Sequence, residues 1–251
     1  MEPEPEPGSE AQAKLNFMAL GWICETHAFV NDTLKNQEML TIHHLGKSQS
    51  ERIIWLCEEL GLEYALKLYV RDPVTILSPP ELKALHPLGA APVITDGALV
   101  LAESGAIVDY IIAKYGGGRL ALGPTHSDFA QYLYWFHFAN GNLQPNMGRN
   151  MILRRLNLAP DDATLLAMKG RLDRVFDLIE ARLGSAVYLA GDEFTAADIM
   201  AVFSLTTMRI FMPRDIAPYP HILAYLRRIG GRAAYQRAMH KGDPGMAPLL
   251  T

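Results

Sequence analysis

Two hydrophobic periodicities divide the chain. From Met39 to about Val100 the apolar positions come in short runs. Leu40-Thr41-Ile42-His43-His44-Leu45 has strand character. The turn Gly46-Lys47-Ser48-Gln49 leads into a helix whose apolar positions are Ile53, Ile54, Leu56, Cys57 and Leu60, with Gly61 as its stop. Tyr64–Val70 reads as a second strand, and Pro79-Pro80-Glu81-Leu82 as the opening of a short helix, because proline is tolerated in a first helical turn. Pro92–Thr95 and Leu99–Leu101 flank Asp96-Gly97, a hairpin turn signal, and a helix follows over Gly105–Tyr115. The order is β-α-β-α-β-β-α, with a parallel start and an antiparallel finish.

After Gly116-Gly117-Gly118 the pattern changes. Residues 116–127 read as a linker. Beyond Ser127 every apolar repeat has helical spacing, over Phe129–Leu156, Asp161–Leu183, Thr195–Phe211 and Pro220–Ile229. The division predicted is therefore an extension over 1–38, an α/β domain over 39–115, the linker, and an all-α helical bundle over 128–251. The extension opens on Glu2-Pro3-Glu4-Pro5-Glu6-Pro7-Gly8, too polar to offset its ordering entropy by burial. Leu15–Val30 is more apolar. It reads equally as a docked helix or as sequence upstream of an ordinary start at Met39.

Composition narrows the function. Of the 251 residues, 49% are hydrophobic and 20% charged, and the net charge is −4, so the chain has no general attraction for nucleic acid or an anionic membrane. No apolar run reaches the ~20 residues that span a bilayer. Cys24 and Cys57 stand in neither CxxC nor metal-ligand spacing, and the eight histidines show neither triad order nor ligand spacing; no metal is expected. A reducing cytoplasm fits this cysteine usage.

Three motifs carry candidate chemistry. The first is Lys47-Ser48-Gln49-Ser50-Glu51-Arg52, with hydroxyls at a helix start. Unpaired N–H groups and a partial positive charge there stabilise an anion and acidify a thiol. Simple capping explains such a serine too, and both roles can hold, with Ser48 on the turn and Ser50 as the cap. The second is Gly89-Ala90-Ala91-Pro92-Val93 followed by Leu101-Ala102-Glu103-Ser104. A cis bond before Pro92 would free the Ala91 backbone to pair with a peptide-like ligand. Glu103 and Ser104 offer a carboxylate for an ammonium and a hydroxyl for a carboxylate, or else they only cap their helix. The third, Thr195-Ala196-Ala197-Asp198, reads as a capping box and a folding element.

Together and in this order, these motifs resemble the glutathione transferase family over residues 39 to about 240. Pro79–Lys83, His86-Pro87-Leu88-Gly89, and Tyr134-Trp135-Phe136 through Gly141-Asn142-Leu143-Gln144-Pro145 resemble its serine-type group of fungi and bacteria. The resemblance implies a thioredoxin-like fold for the α/β domain, glutathione as a substrate, and a homodimer. By position it implies that Ser48 hydrogen-bonds the glutathione sulfur, that Ala91 beside Pro92 holds the cysteinyl unit, and that Glu103 and Ser104 bind the γ-glutamyl end. Tyr134, Phe138, Asn142 and Met147 are expected to wall the second-substrate pocket. Two positions depart from the pattern: Ala90 stands where many relatives carry a lysine, a loss that Lys83 could make good, and Gly105 follows Glu103-Ser104. The expected reaction is thiolate attack on an apolar electrophile. A dehalogenase, isomerase or reductase on the same fold, and a non-catalytic ligand-binding protein, are the alternatives.

Overall fold

The computed structural model describes residues 39–251. The two readings of residues 1–38 lie outside the described residues. The first half contains β1 (Thr41–Leu45), α1 (Glu51–Leu60), β2 (Ala65–Tyr69), α2 (Pro80–Lys83), β3 (Val93–Asp96), β4 (Leu99–Ala102) and α3 (Ser104–Lys114), in the predicted order. The sheet runs β2-β1-β3-β4. β1 pairs parallel with β2, Ile42 opposite Leu66, and antiparallel with β3, Ile42 opposite Ile94. α1 is buried along almost its whole length, and Gly61 ends it in the left-handed region at φ 65°.

The second half is helical throughout: α4 (Phe129–Phe138), α5 (Gln144–Leu153), α6 (Ala163–Ser185), α7 (Ala196–Leu205), α8 (Pro220–Gly230) and α9 (Ala233–Gly242). Two of the predicted helices are interrupted. A single π-helical turn, Ala139–Leu143, joins α4 to α5. Pro145 lies just after it, and a proline without an N–H cannot continue the α-helical ladder back to Gly141. α7 stops at Thr206, whose hydroxyl bonds back to the Val202 carbonyl at 2.7 Å, and a short 3₁₀ turn, Thr207–Ile210, follows.

α9 was not expected from the spacing. Its buried face, Ala234, Tyr235, Ala238, Met239 and Gly242, is mostly alanine and glycine and gives a weak apolar signal. It packs along α1, where Arg232 chelates Glu59 at 2.7 and 2.8 Å and Arg237 bonds Glu58 at 2.8 Å. That contact brings the chain after α9 up against the end of β1.

α7 begins with the predicted capping box. Thr195 accepts from the Ala197 N–H, and the Asp198 carboxylate accepts the Thr195 N–H at 2.9 Å. The same carboxylate takes the Leu189 N–H and the Tyr225 hydroxyl, each at 3.0 Å.

Candidate active site

A cleft of about 780 Å³ opens where the β1–α1 turn meets the helical half. Ser48 and Gln49 lie on its floor, Gly89–Ala91 on one side, and Gln144, Met151, Phe203, Met208 and Phe211 on the helical side. Lys47, Arg71, Lys83 and Arg155 supply cationic groups around it. The apolar wall suits an apolar ligand and the cationic groups suit carboxylates.

The two serines divide their work differently from either simple reading. Ser50 stands at the N-cap position of α1, fully buried, yet its side chain caps nothing. Its hydroxyl instead meets the Ser48 hydroxyl at 2.7 Å and the His44 ring Nδ1 at 2.9 Å, and accepts the Leu45 N–H at 3.3 Å. The expectation that Ser50 serves as the cap is thus corrected: β1 lies close behind the turn, and its side chain and backbone take the hydroxyl first. Ser48, 6% exposed, accepts the Ser50 N–H at 3.3 Å and still borders the cleft.

The Ala91–Pro92 bond is cis. Ala91 borders the cleft, and its carbonyl accepts from the Gln49 amide at 3.2 Å. Gly89, at φ 59°, lies against Lys83: a β-carbon there would stand 3.3 Å from the Lys83 Cγ. Lys83 thereby shares the side of the cleft where Ala90 offers no charge.

Glu103 precedes α3 at φ 72° without capping it. A non-glycine residue holds that backbone at a cost of ~1–3 kcal/mol, and such residues gather at functional sites. Its carboxylate accepts from Asn140 at 3.1 Å, and the Ser104 hydroxyl accepts from Asn140 at 2.9 Å and from Arg52 at 3.2 Å. Neither side chain does the simple capping that a helix start invites.

Arg52 ties these pieces together. It is fully buried, and its guanidinium donates to Gln49 at 3.0 Å, Ser104 at 3.2 Å, Asn140 at 3.0 Å and Gln144 at 2.8 Å. Burial pushes its pKa down to about 10, while Glu51 and Glu103 oppose that shift. The π-helical turn matters here, because it carries Asn140. The motif reading passed over Arg52, Asn140 and Gln144 as site components. Arg52 at the fourth position after Ser48, one helical turn on, was the signal available.

Beside it, Glu51 is buried with one side-chain hydrogen-bond donor among the described residues, the Thr207 hydroxyl at 2.6 Å, and burial pushes its pKa up to about 8. Cys57 is buried in α1, and its thiol is pushed up to about 12 by burial and by Glu58.

The expected pocket wall is elsewhere. Tyr134, Phe138 and Asn142 line a second cavity of about 360 Å³ between α4–α5 and α6, with Arg149, Arg171 and Arg174. Met147 is wholly buried core. The cleft at Ser48 is walled by the opposite side of this helix pair and by α7 with its 3₁₀ turn. A helical repeat identifies an apolar side chain but not which of two neighbours its helix turns it toward.

Known proteins share this architecture. The N-terminal domain model of glutathione S-transferase matches residues 48–114 and the C-terminal domain model residues 135–233. Glutathione S-transferase 3 of Schizosaccharomyces pombe is 31% identical over 229 residues, spanning 85% of this chain and 92% of the relative.

The chain belongs to the glutathione transferase family.

Glutathione S-transferase 3 of Zea mays is 32% identical over 198 residues, 75% of this chain and 87% of the relative. The crystal structure of a glutathione S-transferase from Actinobacillus pleuropneumoniae superposes with a TM-score of 0.74 at 33% identity, over 82% of this chain and 93% of that one. The transferase fold so established is the thioredoxin-like domain followed by the helical domain. Among the described residues no helix is long and apolar enough to cross a membrane.

Proposed function

We propose that this glutathione transferase joins the thiolate of glutathione to an apolar electrophile, with Ser48 as the hydrogen-bond donor to the sulfur. The observation that carries the reading is the position of Ser48, on a cleft lined both by the cationic groups Lys47, Arg71, Lys83 and Arg155 and by the apolar side chains Phe203, Met208 and Phe211. The cysteinyl unit lies along Ala91, where it competes with Gln49 for the carbonyl. The γ-glutamyl end reaches Glu103 and Ser104, whose polar atoms Arg52 and Asn140 hold in place. Lys83 meets the glycyl carboxylate in place of a charge at Ala90.

The protein forms no covalent bond in this scheme. It brings two substrates together and favours the thiolate. A hydrogen bond to a charged group is worth ~1.5–3 kcal/mol, which moves a thiol pKa by about one to two units. The electrophile sits against Met151, Phe203, Met208 and Phe211, not against Tyr134, Phe138 and Asn142. The second cavity instead marks the face through which two copies pair as a homodimer, since Tyr134 and Leu178 on it are 49% and 42% exposed. Sedimentation equilibrium then gives about twice 27.8 kDa. The compartment we assign is the cytoplasm, where thiols stay reduced and glutathione is available.

Steady-state conjugation of glutathione to an activated aryl halide tests the reading. Ser48→Ala should lower kcat by about 10–100-fold, the loss of one charge-assisted hydrogen bond. Phe203→Ala and Phe211→Ala should raise KM for the halide and leave KM for glutathione alone. Unchanged kcat in Ser48→Ala would remove the hydroxyl from the chemistry.

A further inference from the structure

Four side chains stand end to end behind the cleft. The Ser48 hydroxyl meets the Ser50 hydroxyl at 2.7 Å, Ser50 meets His44 Nδ1 at 2.9 Å, and His44 Nε2 meets the Asp243 carboxylate at 3.3 Å. Ser50 and His44 are wholly buried, and Ser48 and Asp243 are 6% and 9% exposed. Asp243 is further fixed by the Lys47 N–H, which donates to both its oxygens at 2.9 and 3.2 Å. Two glycines leave room for the contact. A β-carbon on Gly242 would stand 3.2 Å from His44 Nε2, and one on Gly46 3.2 Å from the Asp243 Oδ1.

The donor inventory sets the direction of this chain. A carboxylate only accepts, so Nε2 carries a hydrogen toward Asp243, and a neutral imidazole then accepts at Nδ1. Ser50 donates to Nδ1, and Ser48 donates to Ser50. The Ser48 hydrogen is therefore turned inward, and its oxygen faces the cleft as an acceptor. That arrangement suits an incoming thiol, which brings a hydrogen. It does not suit a thiolate, which needs a donor.

We propose that His44 takes the thiol proton through Ser48 and Ser50, with Asp243 as counter-ion to the imidazolium that forms. The inference rests on the reading that the thiol binds at Ser48. The S–H bond breaks and its proton goes to the Ser48 oxygen. The former Ser48 proton passes to Ser50, and the former Ser50 proton forms an N–H bond at His44 Nδ1. One proton has moved from sulfur to His44, and none is gained or lost. The Ser48–Ser50 and Ser50–His44 hydrogen bonds have reversed while His44 Nε2 still donates to Asp243, so Ser48 now donates to the sulfur anion. A general base must lie within hydrogen-bonded reach of the proton it takes, and the two serine hydroxyls supply that reach.

The surrounding charges permit the step. Asp243 faces His44 from the segment after α9. Glu51 on α1 is attracted to a proton by its own burial, with its pKa at about 8, so near neutrality it adds no second negative charge. Arg71, beyond β2, faces Asp243. Lys47 offers its backbone N–H there and extends an exposed side chain. His43 turns to Tyr69 and Thr95, at 2.9 and 3.2 Å.

The test uses the full chain and glutathione itself. In weakly buffered solution near neutral pH, ultraviolet absorbance counts thiolate formed on binding, and an indicator dye counts protons released. The wild type should release fewer than about half a proton per thiolate, because His44 retains it, and the ¹⁵N shifts of the His44 ring should move from neutral to imidazolium. His44→Asn keeps a polar side chain but holds no proton. It should release one proton per thiolate and show about tenfold less thiolate at the same pH, one pKa unit. Ser50→Ala severs the chain and should give the same pair of changes, and Ser50→Ala with His44→Asn should be no worse than either alone. Asp243→Asn extends the test should His44→Asn not fold, and it should also raise the thiol pKa. One proton released per thiolate in the wild type, or neutral His44 shifts with glutathione bound, overturns the relay. A Ser48→Ala variant that raises the thiol pKa while Ser50→Ala does not overturns the relay alone. A thiol pKa unmoved by Ser48→Ala overturns the placement of the thiol as well.

Discussion

Two helix starts in this chain look alike in sequence and behave differently. Ser50 precedes α1 with Glu51 in the first turn, and Thr195 precedes α7 with Asp198 in the first turn. Thr195 and Asp198 cap the backbone of their own helix reciprocally. Ser50 caps nothing and joins Ser48 to His44. The two acids differ in the same way. Asp198 receives two backbone N–H groups and the Tyr225 and Thr195 hydroxyls, and burial raises its pKa only to about 6, so it is ionised at neutral pH. Among the described residues Glu51 receives the Thr207 hydroxyl alone, and its pKa rises to about 8, so it holds a proton at neutral pH. A buried carboxylate stays charged where enough donors surround it and takes up a proton where they do not. One helix start is thus closed on itself, and the other ties its hydroxyl to Ser48 and to β1.

The largest effect expected from breaking this contrast is at Asp198. Asp198→Ala leaves two N–H groups and two hydroxyls, those of Tyr225 and Thr195, buried without this acceptor, and should cost about 4 kcal/mol in chemical denaturation. The thiol pKa of bound glutathione should stay put. A shift there would mean that the two helix starts are coupled.

Glu51→Gln should act oppositely and depend on pH. The folded pKa of about 8 lies above the unfolded value near 4.5, so the folded state binds the extra proton. Its stabilising contribution is complete below about pH 4.5, declines as pH rises, and is gone above about pH 8. The glutamine variant lacks this titration and should be more stable than wild type near pH 7 by about 2–3 kcal/mol, with the gap closing toward pH 5. Denaturation midpoints of both proteins across this range decide it. Parallel curves would show that Glu51 is ionised when folded.

Ser50→Ala should cost about 2 kcal/mol, since the Leu45 N–H and the His44 ring lose a buried partner. Unlike Asp198→Ala, it should also raise the thiol pKa. Thr195→Ala should cost least, about 1 kcal/mol for a lost cap, with full conjugating activity retained. If Thr195→Ala proved the more damaging of the two to kcat, the assignment of stability to one start and chemistry to the other would be reversed.

Much of this was legible along the chain. Short runs of alternating and β-branched residues, closed by Gly61 and Asp96-Gly97, mark strands and turns because their geometry is local. The capping box is equally local, since all its partners lie within four residues. Ser48, Ala91, Glu103 and Ser104 were proposed as a set because their order resembles that of a known family. These features depend on spacing, which is what a sequence displays.

Other features depend on what comes to lie beside a residue. Ser50 is prevented from capping by His44 and Leu45, which only the sheet holds behind the turn. Asp243 reaches His44 because α9 docks on α1 through Arg232 and Arg237, a pairing between residues nearly the whole domain apart. The wall at Phe203, Met208 and Phe211, in place of Tyr134, Phe138 and Asn142, follows from how the helices are rotated in the bundle. Periodicity determines that a helix has an apolar face. Only the packing of neighbours decides whether that face meets the core, the cleft or another cavity, because burial is a property of the pair and not of either helix alone.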